Sequence, residues 1–131
     1  MSETGHYVPG TCNIGAAEIE RRLRAGWAGV TVFSLILLFL MTSKSAPGWY
    51  LVLFLPGLAA AAGFVQAHYR FCFYFGFSSL FNFDQAGARH HVEDHDARRQ
   101  DRAKARRLLA VSTLIALVVT LVAYGAAALL G

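Results

Sequence analysis

Thiol and imidazole side chains are the residues of this chain best suited to chemistry. His68 and Cys72 are four residues apart, as are His91 and His95, and Cys12 lies near the N-terminus. Side chains four apart on an α-helix share a face and can reach one metal ion or cofactor edge. Two helices that meet at a membrane interface could therefore offer Cys12, His68, Cys72 and one of the two loop histidines to a metal ion or haem.

A structural interpretation of the same residues is favoured over the metal site. The chain has no CxxC pair and no HExxH motif, the spacings that identify metal sites most clearly. Cys72 would then pack as a small apolar residue, Cys12 would lie in a loop, and the histidines would begin a solvated helix. An axial metal or haem role for His68 is the main alternative.

Other kinds of site have less support. The sequence has no serine elbow, no glycine-rich phosphate loop and no carboxylate within an apolar run, so catalysis is not expected. Gln66 and His68 lie near the end of an apolar run, where they could line a substrate path. Bonding to headgroup water or to a neighbouring helix is the favoured explanation.

Three apolar runs must position these residues. Hydrophobic residues make up 56% of the 131 and charged residues 15%, so the two kinds are segregated along the chain. The runs 26–42, 48–70 and 108–130 reach the roughly 17 to 25 residues needed to cross a bilayer. The sequence therefore predicts an all-α membrane protein, a single domain over 1–131 with three transmembrane helices.

The segment before the first run is predicted to contain a short helix of its own. Asn13 is a good N-cap residue. We therefore expect residues 1–25 to form an irregular leader and then an amphipathic helix on the membrane surface. A cleaved signal peptide is the alternative for this region, because small residues follow the first run, and it is disfavoured.

The segments after the second run are also predicted to be helical. Pro56 should kink the second span, and the helix should continue to about Gly76 before an aromatic interfacial stretch. The alternating phenylalanines of 71–77 are typical of a strand, but an unpaired strand is excluded at lipid depth. Residues 84–107 are predicted to form a charged helix that runs into the third span, because acidic residues precede basic ones.

The distribution of basic residues predicts the orientation. Of the twelve Lys and Arg, Lys44 alone lies between the first and second runs, and the other eleven lie on the opposite side of the spans. The positive-inside rule then places the N-terminus in the cytoplasm and the C-terminus outside. Cys12 and Cys72 would face a reducing compartment, where disulfides are uncommon.

The basic run before the third span is a candidate lipid-binding surface. Each such charge near an anionic membrane surface contributes about 1 kcal/mol. Nucleic-acid binding is disfavoured because the run lacks interleaved aromatic residues. The predicted headgroup-binding residues are Arg98, Arg99, Arg102, Lys104, Arg106 and Arg107.

Several short stretches carry a resemblance to a known family. They are Cys12-Asn13-Ile14-Gly15, Ala17-Glu18-Ile19 with Arg21-Arg22, Gly63-Phe64-Val65-Gln66-Ala67 and Phe81-Asn82-Phe83. Together these resemble a family of small uncharacterised bacterial inner-membrane proteins with a Cys-Asn-Ile-Gly motif near the N-terminus. The resemblance implies a bacterial inner membrane and implies no activity.

These observations leave three hypotheses of function. The first is a noncatalytic accessory or structural subunit, acting as a homo-oligomer or in a larger complex, because three short spans bury little surface alone. The second is a metal- or haem-binding membrane module that uses Cys12, His68, Cys72 and a loop histidine. The third, less favoured, is a small transporter that forms its path as an oligomer.

Overall fold

A computed structural model describes residues 7–83 and 88–130. The chain is mostly helical, and three of its helical segments are long and apolar enough to cross a membrane. This confirms the predicted helical fold with three helices of membrane-spanning length and composition. In chain order the elements are α1 (Ala16–Thr42), a 3-10 helix (Pro47–Leu53), α2 (Phe54–Tyr69), α3 (Phe73–Ser78), β1 (Leu80–Phe81), β2 (His90–His91) and α4 (His95–Leu130).

The long helices alternate in direction, with the second span in the middle. The 3-10 helix and α2 form that span, and α2 packs against both α1 and α4. The start of α1 and the end of α2 lie together. Asn13, just before α1, donates its backbone amide to the carbonyl of Arg70, just after α2, at 3.1 Å. We call this side of the molecule, formed by residues 7–24, 70–83 and 88–107, the polar end, and the opposite side the far end.

Glycines let α1 and α2 approach closely. A Cβ added at Gly29 would lie 2.6 Å from the Ala60 amide nitrogen, and one at Gly63 would lie 2.6 Å from the Gly26 nitrogen. Real Cβ atoms do not approach backbone so closely, so these positions require glycine. Within lipid the hydrophobic effect does not drive helices together. Small residues let the backbones approach closely, and the resulting van der Waals packing holds the helices in contact.

The helix α4 buries one narrow stripe. Its fully or almost fully buried residues recur at helical spacing, whereas the large apolar side chains on its other faces are exposed. The stripe is made of Ala97, Asp101, Ala105, Leu108, Ser112, Ala116 and Thr120.

The predicted surface helix is not a separate element. The helix α1 begins at Ala16, with Gly15 rather than Asn13 at the N-cap, and continues without a break to Thr42. At Gly26 the Phe64 ring occupies the space beside the helix, 3.0 Å from where a Cβ would stand. The Asn13 side chain bonds to Cys72 instead of capping the helix.

The predicted continuation of the second span to Gly76 is wrong. The helix α2 ends at Tyr69, and Arg70 is left-handed, with φ of 55°. The chain is extended at Cys72 before the six-residue helix α3. The Gln66 side chain compensates for the break, since its Oε1 accepts a hydrogen bond from the Phe73 amide at 3.0 Å.

The predicted helix over 84–107 begins later than expected. Residues 84–87 lie outside the described part of the chain, and His90 and His91 pair with β1 in an antiparallel ribbon. The helix starts at His95 because the Asp94 carboxylate accepts the Ala97 amide at 2.9 Å and so caps it. From there it runs into the third span as predicted.

The sequence predicts a kink at Pro56, and the structure shows a change of helix type close to that residue. Residues Pro47–Leu53 form a 3-10 helix, and the α-helix begins at Phe54. Pro56 is the third residue of that α-helix. A proline is tolerated there because first-turn amides have no partner within the helix.

Candidate functional site

Asn13 joins three segments of the polar end. Its amide donates to the Arg70 carbonyl at 3.1 Å, and its carbonyl accepts the Asn82 amide at 2.9 Å. Its side chain pairs with the backbone of Cys72, accepting from the amide at 2.8 Å and donating to the carbonyl at 3.3 Å. Asn13 is completely buried, and these bonds use both its backbone and its side chain.

A buried carboxylate lies next to this junction. Glu18 is 1% exposed, and its Oε2 accepts a hydrogen bond from Asn82 Nδ2 at 2.9 Å. Its Oε1 forms an ion pair with Arg22, one helical turn further along α1. Burial of a charge is costly unless the charge is paired and hydrogen-bonded, and here it is both.

Arg22 connects the carboxylate to a cysteine. Its Nη2 donates to Cys72 Sγ at 2.9 Å, and its Nη1 also reaches the Glu18 carbonyl at 3.3 Å. The guanidinium lies 5.8 Å from the centre of the Phe75 ring. The Arg22 Nε is buried, and no atom among the described residues accepts a hydrogen bond from it.

A cleft of about 330 Å³ opens beside Arg22. We call it the arginine cleft. It is lined by Glu18, Arg21, Arg22, Ala25, Gln66, Cys72, Tyr74, Phe75 and Arg89. The Arg89 guanidinium lies over the Tyr74 ring, 5.6 Å from its centre. The cleft thus combines positive charge with an aromatic wall.

A second buried carboxylate ties the N-terminal segment to the polar part of α4, before the apolar run 108–130. Asp101 is completely buried, and it accepts hydrogen bonds from the Tyr7 hydroxyl at 2.5 Å and the Gly10 amide at 2.8 Å. Burial raises the pKa of Asp101 above its ordinary value of 3.8, and the two hydrogen bonds oppose that rise. Burial and the Asp101 carboxylate raise the pKa of the Tyr7 hydroxyl.

The predicted metal ligands are dispersed. Cys12 and Cys72 are buried, but His68, His91 and His95 are exposed. His68 lies edge-on to the Tyr69 ring at 4.9 Å. Within 7–83 and 88–130, no three His, Cys, Asp or Glu residues form a group that could hold a metal ion.

The predicted lipid-binding residues divide into two groups. Arg98 Nε donates to the Val92 carbonyl at 2.7 Å, Arg99 pairs with Asp96 at 2.7 Å, and Lys104 Nζ lies 4.9 Å from the Tyr69 ring centre. The remaining members, Arg102, Arg106 and Arg107, are exposed on α4, as is Arg99.

The residues that organise the polar end are not predicted as a site by the sequence. Sequence reasoning places Asn13 at a helix cap and gives no role to Asn82 or Asp101. The partners of Asp101 are 91 and 94 residues away in the chain, so local spacing holds no signal for them. The Cys12–Gly15 and Phe81–Phe83 stretches do meet, because Ile14 and Asn82 form a parallel bridge.

An apolar cavity of about 850 Å³ lies at the far end. It is bounded by α1, by Tyr50 of the 3-10 helix and by the last turns of α4, with Lys44 and Ser45 at its edge. Most of its lining is aliphatic or aromatic. It is therefore suited to acyl chains or to an apolar helix rather than to a polar substrate.

The fold and the site define a helical protein with three candidate membrane spans and a polar end fixed by buried hydrogen bonds. Comparisons with protein-family models, with curated proteins and with solved structures gave no match. The geometry of the chain itself must therefore support any assignment of function.

Proposed function

We propose that this protein is a noncatalytic accessory or structural subunit of the bacterial inner membrane, acting as a homo-oligomer or in a larger complex. The exposure of its third span carries this proposal. Of the most apolar stretch of α4, 11% is buried, against 17% in the first span and 39% in the second. The uncovered face is available to pack against other membrane helices.

The outward face of α4 is apolar and is left uncovered by the other described helices. Large aliphatic residues follow one another at helical spacing, and Leu114, Val118, Leu121 and Val122 are each more than half exposed. Lipid alone would satisfy such a surface. A partner helix adds van der Waals contact that lipid chains make less well.

The polar end supports a structural role rather than a catalytic one. Its two buried carboxylates, Glu18 and Asp101, are engaged by hydrogen bonds and ion pairs from within the chain. A catalytic carboxylate must instead reach a substrate. These contacts hold the helix ends in place, which suits a subunit that presents a fixed shape to its neighbours.

We also propose that the polar end faces the cytoplasm and the C-terminus faces outward. This orientation rests on the eleven basic residues at the polar end or on the segments joined to it, against Lys44 alone at the far end. Anionic headgroups would then contact the exposed arginines of α4. Labelling of single cysteines at Ser45 and Arg102 from either side of sealed vesicles tests the orientation.

The two other hypotheses have weaker support. A metal or haem module would need Cys72, whose sulfur already accepts a hydrogen bond from Arg22. A transporter would need a polar path, but the far-end cavity is lined mainly by apolar residues. Both hypotheses predict properties that the purified protein would display directly, namely bound metal or colour in one case and uptake by vesicles in the other.

The experiment is purification in mild detergent, with the protein mass measured by light scattering and co-purifying chains identified by mass spectrometry. We expect a homo-oligomer or a stable complex that is colourless and free of metal. Leu121→Trp should weaken the assembly because a larger side chain there would hold a neighbouring helix away from α4, whereas Leu35→Trp on the exposed face of α1 is the matched control. A monomer without partners would contradict the proposal.

A further inference from the structure

The arginine cleft has the charge of an anion-binding site. Its charged lining residues among the described part of the chain are Arg21, Arg22, Arg89 and Glu18, giving three positive charges and one negative, a net of +2. Glu18 is already engaged by Asn82 and Arg22. We propose that the cleft binds a phosphate group, with Arg21 and Arg89 as its principal ligands.

Arg22 lines the cleft, where its charge is offset by the Glu18 carboxylate. Its side chain is 15% exposed, and its buried Nε has no acceptor among the described residues. Its other nitrogens are held by Glu18 and Cys72. The net charge of +2 that attracts an anion therefore comes from Arg21 and Arg89.

Arg21 and Arg89 can both turn donors toward a ligand. Arg21 is 63% exposed, and its contact with Glu18 is long, at 3.7 Å. Arg89 is exposed and lies over the Tyr74 ring, which engages the face of a guanidinium and leaves its in-plane N–H groups available. Guanidinium groups bind phosphate oxygens in a planar, two-pronged geometry.

The depth of the cleft favours a lipid as the source of the phosphate. Arg21 and Arg22 lie one turn before Gly26, where the apolar run of α1 begins. Trp27 is 63% exposed at that level, as expected for a residue at a membrane interface. The volume of 330 Å³ is near the small end for ligand pockets, about 300 to 1,000 Å³, and suits a headgroup rather than a larger ligand.

The test compares two probes on the full-length protein in mild detergent. Binding of short-chain phosphatidylglycerol and of inorganic phosphate is measured by isothermal titration, with phosphatidylcholine as the lipid of no net charge. We expect saturable binding of phosphatidylglycerol or of inorganic phosphate. Binding of the lipid alone identifies a headgroup, and binding of inorganic phosphate alone identifies a soluble phosphate. Binding of both shows that the cleft recognises the phosphate group that the two probes share.

Variants separate the cleft from general surface charge. The double variant Arg21→Gln, Arg89→Gln should weaken binding at least about tenfold, because it removes two charged donors. The matched control Arg24→Gln, Lys44→Gln removes the same charge from exposed positions outside the cleft and should leave affinity unchanged. Equal losses in both double variants, or no saturable binding of either probe by the parent protein, would overturn the proposal.

Discussion

The side chain of Asn13 is hydrogen-bonded to the backbone of Cys72 in both directions, with Cys72 N to Oδ1 at 2.8 Å and Nδ2 to the Cys72 carbonyl at 3.3 Å. The two residues are 59 positions apart. Asn13 thus supplies the donor and acceptor that a neighbouring strand would otherwise give. The chain can leave the helix after Tyr69 because the Asn13 side-chain amide bonds to the N–H and the carbonyl of Cys72, which lie just beyond the break.

Replacement of Asn13 should destabilise the polar end. Asn13→Ala leaves the buried amide of Cys72 unpaired, whereas the Cys72 carbonyl keeps the Gly76 amide as a donor at 2.9 Å. We expect a loss of about 1–3 kcal/mol, the cost of one unsatisfied buried group. Unfolding in detergent micelles measures the change. Thr11→Ala is the control, because its hydroxyl is exposed and makes one long bond of 3.5 Å; equal losses in the two variants would contradict the role of Asn13.

Neutralising Glu18 should be far more harmful than neutralising its neighbour Glu20. Glu18→Gln leaves the Arg22 guanidinium buried without its counter-charge, and breaking a buried pair costs about 3–5 kcal/mol. Glu20→Gln disrupts an exposed pair with Arg24, at 3.4 Å, and should change stability little. Thermal unfolding of the two variants gives the comparison, and similar melting temperatures would show that Glu18 is not stabilised as described.

The contact between α1 and α2 should not tolerate a methyl group at Gly63. Gly63→Ala places a Cβ 2.6 Å from the Gly26 nitrogen and 2.7 Å from the Arg22 carbonyl, so the helices must separate. Overpacking of this kind costs about 1–3 kcal/mol. Gly125→Ala is the matched control, since nothing lies within 4 Å of its added Cβ, and it should be neutral or stabilising. Unchanged unfolding of Gly63→Ala would refute the close approach.

Asp101 should make stability depend on pH. Because burial raises its folded-state pKa above 3.8, the native chain holds the proton more tightly than the unfolded chain. The resulting stabilisation is full below the unfolded pKa and is lost as the pH rises through the folded pKa. Asp101→Asn should remove this dependence while still accepting the Gly10 amide. Unfolding measured from about pH 4 upward tests this, and identical pH profiles for the two proteins would contradict it.

Tyr7 should contribute a second, alkaline dependence. Its pKa is raised above 10.0 by burial and by the adjacent Asp101. The contribution of the protonated hydroxyl to the stability of the fold is therefore lost as the pH rises above the ordinary tyrosine range. Tyr7→Phe removes the hydroxyl and should abolish that alkaline loss. Tyrosine absorbance titration of the parent and variant checks the assignment, since the parent should show an ionisation above the ordinary tyrosine range that Tyr7→Phe lacks.

The spans could be predicted from sequence because their signal is local. Each apolar run is continuous and long enough to cross a bilayer by itself, so 26–42 and 108–130 required no knowledge of partners. The polar end could not be predicted in this way. Its helix break at Arg70 depends on Asn13, and the burial of Asp101 depends on Tyr7, contacts that join positions 57 and 94 residues apart along the sequence.

The predicted four-ligand site illustrates the same limit. Spacing of four between His68 and Cys72 suggests a shared face only if both residues belong to one helix. The helix ends between them, at Tyr69, so Cys72 turns toward Arg22 while His68 remains exposed. Helical periodicity carries no information beyond the residue at which the helix ends.

Photo-crosslinking from the exposed face of α4 tests the central proposal most directly. A photoreactive group is attached to Leu114→Cys or Leu121→Cys and activated in native membranes, with Leu35→Cys on α1 as the control; the native cysteines are buried. The proposal predicts a discrete product, a second copy or one partner chain, from the α4 positions. Crosslinks to lipid alone from every α4 position would contradict it.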